Sequence, residues 1–303
     1  MPPKKRAKKR VQDNETDGLN KIFADSRIMS PKKGAKKRVQ ENGTDSKVTE
    51  PKQMKKKVLF QLKDVVRATV VNRPSKTIKS PYMADIVLDS DPQTPVLCHS
   101  PSLGCAGIIV SGTRAIVTPK TENSKSKSKY SLDLVDIGSS IVGVNPLTCN
   151  KMTKQALEYG LVNGLPNFAP KEIKAECSIG ESRFDFKCVK DGFEYFIEVK
   201  GVPCACIEDV PRSPSKKLQN IAEINNAAHK IAYFPDGYRK KAEEAISPRA
   251  LKHVEHLRRL REEDSTRVCM LLFIVQRSDC QVFQPSHNDP LYRHSVVSEL
   301  TSY

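Results

Sequence analysis

The stretch SRFDFKCVKDGFEYFIEVKG, Ser182–Gly201, consists of two runs of alternating apolar and polar residues on either side of Asp191-Gly192. An Asp-Gly pair between such runs predicts a β-hairpin, because these residues readily adopt the positive φ angles of a type I′ turn. The turn also fixes the register of the two strands. The predicted facing pairs are Arg183–Lys200, Phe184–Val199, Asp185–Glu198, Phe186–Ile197, Lys187–Phe196 and Cys188–Tyr195.

This register places Asp185 directly opposite Glu198. Facing side chains lie about 4.5–5.5 Å apart at Cβ, so two carboxylates repel each other unless a cation lies between them. Mg²⁺ suits this position, because it prefers carboxylate oxygens and is often held by one or two carboxylates plus phosphate oxygens of a substrate. Lys200 projects from the same face, where it can orient or deprotonate an attacking water. The alternative is a half-exposed hairpin whose acids are neutralised by Arg183 and Lys200.

Other segments, in a fixed order along the chain, carry a family resemblance. The chain resembles the sugar fermentation stimulation protein A (SfsA) family and, more broadly, the PD-(D/E)XK restriction-endonuclease-like superfamily. The resemblance covers roughly residues 57–303, interrupted by insertions. The segments that carry it are CHSPSLG (98–104), KYSLDLVDI (129–137), IVGVN (141–145), SRFDF (182–186), FIEVKG (196–201), YFPDG (233–237), SPRALKHVEHL (247–257), FIVQR (273–277) and FQPSHNDPLY (283–292).

The resemblance implies a chain of the α+β or α/β class. An N-terminal OB-like β-barrel at 57–145 is expected to precede a restriction-endonuclease-like mixed-sheet domain at 146–303. The short β-rich runs before residue 145 are themselves typical of a small barrel. The stretch at about 203–231 exceeds the family pattern and is predicted to be an insertion, with a phosphorylation site at Arg212-Ser213-Pro214 and a helix after it.

The resemblance also implies site residues. Asp185 and Glu198 become ligands of Mg²⁺ (or Mn²⁺), and Lys200 becomes the catalytic lysine. Nucleases of this fold usually add an acidic residue from a helix, but Gln155 stands at the expected place, so Glu158, three residues later on the same helical side, is the candidate replacement ligand. The predicted nucleic-acid contacts are Arg183, Arg249, Lys252, His253, Gln276, Arg277, Arg67 and Arg73.

Two functions are compatible with these patterns. The intact set of Asp185, Glu198 and Lys200 favours a Mg²⁺-dependent phosphodiesterase that cleaves DNA, with RNA as the second candidate substrate. Gln155 favours a non-catalytic DNA-binding regulatory protein that retains the nuclease fold, and so does the usual description of the bacterial family members as DNA-binding.

The N-terminal segment is strongly basic. The net charge of the chain is +16, and residues 1–57 hold 18 Lys and Arg against 7 Asp and Glu. Residues 1–18 recur almost unchanged at 29–46, and apolar residues are few, so 1–56 is predicted to be a disordered tail. The clusters PKKRAKKR and PKKGAKKR favour binding to the nuclear import machinery, or equally attraction to nucleic-acid phosphates.

Cysteine usage and hydropathy bear on the compartment. The nine cysteines form no paired framework and follow no signal peptide, which indicates reduced packing thiols and a reducing compartment. The expected location is the nucleus, or otherwise the cytoplasm. The sequence has no long apolar run, so no membrane partner is expected.

Overall fold

The computed structural model of the chain describes residues 57–103, 105–121, 124–208, 221–237, 241 and 243–300. The predicted disordered tail and the predicted phosphorylation site at Arg212-Ser213-Pro214 lie outside the described residues. The boundary predicted near residue 145 stays a prediction, because Lys56–Tyr303 group as one unit.

The β-rich runs of the first part form one sheet that closes on itself. Neighbouring strands pair antiparallel in the order β3-β2-β1-β4-β5-β6, and a short parallel contact of β3 with β5 completes a ring. Alternate residues such as Ala68, Val70, Val117 and Leu132 point into its core. The strands are β1 (Val66–Asn72), β2 (Met83–Leu88), β3 (Asp91–His99), β4 (Arg114–Pro119), β5 (Tyr130–Asp136) and β6 (Ile141–Gly143).

The second part mixes helices with two smaller sheets. One has the order β12-β9-β8-β7, in which β12 and β9 run parallel, and the other has the order β10-β11-β13. The fold class predicted from the sequence is confirmed: an antiparallel ring followed by mixed sheets. The elements are α1 (Pro146–Glu158), β7 (Ile173–Ile179), β8 (Ser182–Lys190), β9 (Phe193–Val202), β10 (Ala205–Cys206), α2 (Ile221–Asn226), β11 (Ile231–Phe234), α3 (Pro248–Glu263), β12 (Arg267–Val275), β13 (Val282–Pro285) and α4 (Pro290–Leu300).

The Asp-Gly hairpin forms as predicted. Asp191 and Gly192 have φ angles of 50° and 82°, and positive values at both central residues define a type I′ turn. The ladder pairs Phe186 with Ile197, Lys187 with Phe196 and Cys188 with Tyr195.

Beyond Phe186 the predicted pairing is wrong. The β8–β9 ladder stops there, so Arg183–Lys200, Phe184–Val199 and Asp185–Glu198 are not ladder partners. The Asp185 side chain is the physical reason, because its Oδ2 accepts the Val199 N–H at 2.8 Å. In a regular antiparallel ladder that N–H would pair with the backbone of Phe184. The carboxylate thus takes the place of a ladder bond, and the strands separate at this point.

The break at Asp185 also reverses one side chain. Phe184 and Phe186 were expected on one apolar face, but Phe184 packs with Phe196 and Leu257, whereas Phe186 packs with Ile197 and the helix α1. Across the sheet, Glu176 of β7 has a φ of 53°, so the irregularity extends over two neighbouring strands. The hairpin is therefore apolar on both faces.

Helices cover both faces of this four-stranded sheet. Cys149 and Leu157 of α1 pack on one face, and Leu257 and Leu260 of α3 pack on the other. Ser247 caps α3: its Oγ accepts the Ala250 N–H at 3.4 Å, and Pro248 occupies the first turn. The hairpin thus lies in the middle layer of the second part.

Several other expectations can be compared with the structure. In the predicted insertion, β10 and α2 are described, but α2 has only six residues and 209–220 lie outside the described ranges. None of the nine cysteines, all within the described ranges, forms a disulfide bond, and seven of them are buried. Within the described ranges, no helix is both long enough and apolar enough to cross a membrane.

Candidate metal site on the β8–β9 hairpin

Asp185 lies at the point where β8 and β9 separate. Its Oδ1 accepts a hydrogen bond from Asn150 Nδ2 of α1 at 2.7 Å, and its Oδ2 accepts the Val199 N–H at 2.8 Å. Burial, followed by the nearby Glu198 carboxylate, raises the pKa of Asp185 above its usual range, although the two hydrogen bonds oppose the shift. The two hydrogen bonds therefore fix the orientation of the Asp185 carboxylate, but they compensate its negative charge only in part.

Glu198 is 3% exposed and lies on the next strand. Its Oε1 accepts hydrogen bonds from Lys200 Nζ and from His253 Nδ1 of α3, both at 2.5 Å. Burial alone would raise the pKa of Glu198, but the His253 hydrogen bond and the Lys200 charge outweigh burial and lower it. Glu198 is thus ionised at neutral pH, while Asp185 is the more easily protonated member of the pair.

The other oxygen of Glu198 is uncompensated. Glu198 Oε2 is buried and accepts no hydrogen bond from the described residues. An unpaired buried carboxylate oxygen is costly, and a hard divalent cation is one species that removes this cost. Among the described residues, no group of three or more His, Cys, Asp and Glu side chains is placed to hold a metal. The pair Asp185 and Glu198 therefore fits a cation that takes its remaining ligands from backbone carbonyls, water or substrate.

The structure does not bring Glu158 to this pair. The α1 residue that reaches Asp185 is Asn150, eight residues earlier and about 12 Å away along the helix axis. Glu158 instead accepts a hydrogen bond from Gln155 Nε2 at 3.0 Å. The sequence did not single out Asn150, because its contact with Asp185 depends on how α1 packs on the sheet.

His253 was predicted to contact nucleic acid, but the structure buries its side chain. It is 5% exposed, and His256 is also buried. The buried positions of α3 are Ala250, His253, Val254, His256, Leu257 and Leu260, which form one stripe at helical spacing. The apolar pattern of the sequence does not include the two histidines. Each lies four residues before a buried leucine, Leu257 or Leu260, and therefore on the same stripe.

Three of the predicted nucleic-acid contacts are partly or fully exposed in the second part. Lys252 forms an ion pair with Glu181 at 2.8 Å, and Arg183 lies 3.8 Å from Glu176. Arg249 is exposed in the first turn of α3. Surface ion pairs of this kind contribute little to stability and exchange readily, so these side chains remain able to meet an anionic ligand.

Gln276 and Arg277 have contacts inside the protein, and their predicted nucleic-acid contacts stay predictions. The Gln276 amide lies between two glycines: a Cβ at Gly143 or Gly201 would come within 2.7 Å of it. Arg277 is buried and donates from Nε and Nη2 to Asp279 at 2.7 and 2.8 Å. Both follow an apolar strand directly, and the sequence alone did not show that its end is covered.

The two predicted contacts in the ring differ from each other. Arg67 is exposed on β1. Arg73 donates to the backbone carbonyls of Pro81, at 3.2 Å, and Ser102, so it ties two loops together. Neither residue is joined to the β8–β9 site by a described contact.

Replacing Asp185 with Asn should leave the protein without metal as stable as wild type, or more stable, within about 1 kcal/mol. The variant removes the repulsion from Glu198, and Asn150 can rotate its amide to accept from the new NH₂ group. Because the native pKa of Asp185 is raised, its ionisation costs stability as the pH rises from about 3.9 through the raised value, and the variant should lose this pH dependence.

Urea unfolding at several pH values measures this effect. Asp185→Ala is the control, because it leaves the Val199 N–H without an acceptor and should cost about 1–3 kcal/mol. Equal destabilisation by both substitutions would contradict the proposed repulsion between the two carboxylates.

Comparisons with known proteins agree with this architecture. The family model described as "Sugar fermentation stimulation protein RE domain" matches residues 147–219 and 219–301. A homologue from Carboxydothermus hydrogenoformans is 29% identical over 216 residues, which are 71% of this chain and 78% of that protein. A homologue from Clostridium tetani is 27% identical over 239 residues, covering 78% of this chain and 85% of that protein.

A solved structure gives the same result at the level of fold. The structure of Pyrococcus furiosus SfsA in complex with Ca²⁺ superposes with a TM-score of 0.57 at 17% identity, covering 80% of this chain and 87% of that chain. The family model spans more than half of the sequence and includes the whole β8–β9 hairpin. On this evidence the chain belongs to the sugar fermentation stimulation protein (SfsA) family.

Proposed function

We propose that the protein is a phosphodiesterase that uses a divalent cation, Mg²⁺ or Mn²⁺, to cleave nucleic acid, with DNA as the first candidate substrate. The observation that carries the proposal is the pair of half-buried Asp185 and buried Glu198, in which Glu198 Oε2 accepts no hydrogen bond from the described residues while Lys200 lies beside the pair. Two acids and a lysine at this spacing are also the arrangement of the PD-(D/E)XK superfamily, to which we assign the hairpin.

Each residue of the site has a distinct role in this proposal. Asp185 and Glu198 hold the cation, which supplies charge stabilisation to a phosphodiester when it is bound. Asn150 and the Val199 N–H fix the orientation of Asp185. His253 fixes Glu198 from the side of α3. With a cation bound to Glu198, Lys200 would be available to orient or deprotonate the attacking water.

The related solved structure supports the choice of cation. The Pyrococcus furiosus SfsA was solved in complex with Ca²⁺, a hard cation that shares the preference of Mg²⁺ for oxygen ligands. We propose that this chain binds its divalent cation at Asp185 and Glu198.

A non-catalytic DNA-binding function is the second candidate. It is favoured by Asn150, which occupies the position on α1 that faces Asp185 with an amide instead of an acid. Fewer acidic ligands weaken cation binding, and such a protein would use the same surface for phosphate contacts alone.

A cleavage assay distinguishes the two candidates. Labelled single-stranded and double-stranded DNA and RNA are incubated with the full chain in Mg²⁺, Mn²⁺ or excess chelator. The proposal expects cleavage that requires the cation and disappears in Asp185→Asn. Binding without cleavage under every condition would favour the non-catalytic function.

Deleting residues 1–56 should flatten the salt dependence of nucleic-acid affinity. The tail carries most of the net positive charge, and each neutralised phosphate contributes about −0.7 to −0.9 to the slope of log K against log salt. Fluorescence anisotropy over a range of salt concentrations measures the slope. An unchanged slope would mean that the tail does not contact phosphate, and its basic clusters would then serve only the proposed nuclear import.

A further inference from the structure

A second polar surface lies on the outer side of α1, away from the hairpin. Segment 58–63 crosses this side of the helix and leaves two adjoining clefts of about 420 and 460 Å³. Four residues border both clefts: Phe60, Gln61, Lys63 and Lys151. We refer to the two clefts together as the α1 groove.

The α1 groove is separate from the candidate metal site. Cys149, Thr153 and Leu157 form the buried side of α1. Lys151 is two residues from both Cys149 and Thr153, which places it about 200° around the helix from Cys149 and on the opposite side. The metal-site residue Asn150 lies at the edge of the buried side, so the helix separates the two surfaces.

Ammonium groups lie over aromatic rings in the groove and beside it. Lys151 Nζ lies 4.9 Å from the centre of the Phe60 ring, and Lys57 Nζ lies 4.2 Å from the centre of the Tyr159 ring. Lys63, Lys151 and Lys154 are exposed. Tyr159 is 42% exposed, and Leu147 on the same side of α1 is 59% exposed. Apolar surface and ammonium groups are thus both presented to a ligand.

The floor of the groove does not offset this charge. Asp133 borders one cleft, but it is buried and accepts hydrogen bonds from Thr118 Oγ1 and Asn145 Nδ2, each at 2.7 Å. Its carboxylate therefore interacts with groups inside the protein and offsets little of the lysine charge in the groove. The preceding residues 1–56 are themselves basic, so repulsion from the lysines disfavours that segment as the occupant.

A basic groove that contains an aromatic ring suits single-stranded nucleic acid, because phosphates can meet the ammonium groups while a base stacks on the ring. We infer that the α1 groove binds a single-stranded segment of the nucleic acid that the protein acts on, with Lys63 and Lys151 on phosphates and Phe60 under a base. The inference rests on the proposed function. It adds a binding surface for the nucleic acid on the side of α1 opposite the candidate metal site.

Fluorescence anisotropy with the full chain tests this inference. Lys63→Ala with Lys151→Ala should weaken binding of a single-stranded oligonucleotide and reduce the salt slope by about 1.4, from about 0.7 for each lost phosphate contact. Lys171→Ala with Lys174→Ala is the matched control, because it removes the same charge from exposed positions outside the groove. It should leave the slope nearly unchanged.

A third variant tests the stacking. Phe60→Leu keeps an apolar side chain but removes the ring, and it should weaken single-strand binding about fivefold or more while leaving duplex binding unchanged. Equal effects of the two double variants, or an equal loss of duplex affinity in Phe60→Leu, would overturn the inference and leave the proposed function standing. A wild-type protein that binds no nucleic acid would overturn both.

Discussion

Lys200→Ala is expected to lower cation-dependent cleavage about 100-fold or more while leaving cation binding in place, since positioned proton-transfer groups typically contribute at least that factor. Lys200 Nζ lies 2.5 Å from Glu198 Oε1, so it is close enough to the carboxylate pair to act on a water there. The alanine variant keeps both carboxylates. Single-turnover cleavage at saturating Mn²⁺ measures the rate.

Lys187→Ala is the matched control for this prediction. Lys187 forms an ion pair with Glu194 on the same hairpin, but no described contact joins it to Asp185 or Glu198. A partly exposed ion pair contributes at most about 1 kcal/mol to stability, so the hairpin should stay folded without Lys187. The cleavage rate should therefore change less than about twofold. Equal loss of activity in both variants would mean that Lys200 acts through the hairpin and not through the reaction.

Asp279→Asn is expected to destabilise the fold by about 3–5 kcal/mol, because removing one member of a buried ionic group leaves its partners uncompensated. Asp279 accepts two hydrogen bonds from Arg277 and one, at 2.8 Å, from Lys230 Nζ. The side chains of Arg277 and Lys230 are 1% and 4% exposed. Two buried cations would therefore lose their only described carboxylate. Urea unfolding measures the change.

The pH dependence of this variant adds a second check. The hydrogen bond from Arg277 lowers the pKa of Asp279, and the Lys230 contact adds to it against the effect of burial. A carboxyl whose folded-state pKa is lowered contributes its stability above the unfolded value of about 3.9 and loses it as the pH falls. The difference between wild type and Asp279→Asn should shrink below that pH.

Asp89→Asn serves as the exposed counterpart of Asp279→Asn. It breaks the ion pair of Asp89 with Arg114, whose side chains are 39% and 51% exposed, and should cost less than about 1 kcal/mol. A similarly small loss of stability in Asp279→Asn would mean that water reaches the ionic group of Asp279, Arg277 and Lys230.

Local chemistry explains which parts of the hairpin could be predicted. The turn depends on Asp191 and Gly192 alone, and the first five pairs of the ladder follow from it. The pairing fails at Asp185 because a side chain from one strand replaces a backbone acceptor for the other. The alternation of apolar and polar residues does not reveal this side-chain hydrogen bond, because it assigns every position to a backbone pair.

The residues of the candidate site divide in a similar way. Asp185, Glu198 and Lys200 were identified because they lie close together in sequence around one turn, and the structure joins Lys200 to Glu198. Asn150 and His253 come from helices that pack on opposite faces of the sheet, so their contacts depend on tertiary structure. Arg277 shows the reverse case: it was predicted to contact nucleic acid, but its side chain is buried and paired with Asp279.

Calorimetric titration of the protein with Mn²⁺ tests whether Asp185 and Glu198 share a divalent cation. We expect saturable binding to wild type, weaker binding to Asp185→Asn and to Glu198→Gln, and no binding to the double variant. Circular dichroism spectra check that each variant is folded. Saturable Mn²⁺ binding that survives in the folded double variant would contradict the metal site and the cleavage mechanism built on it.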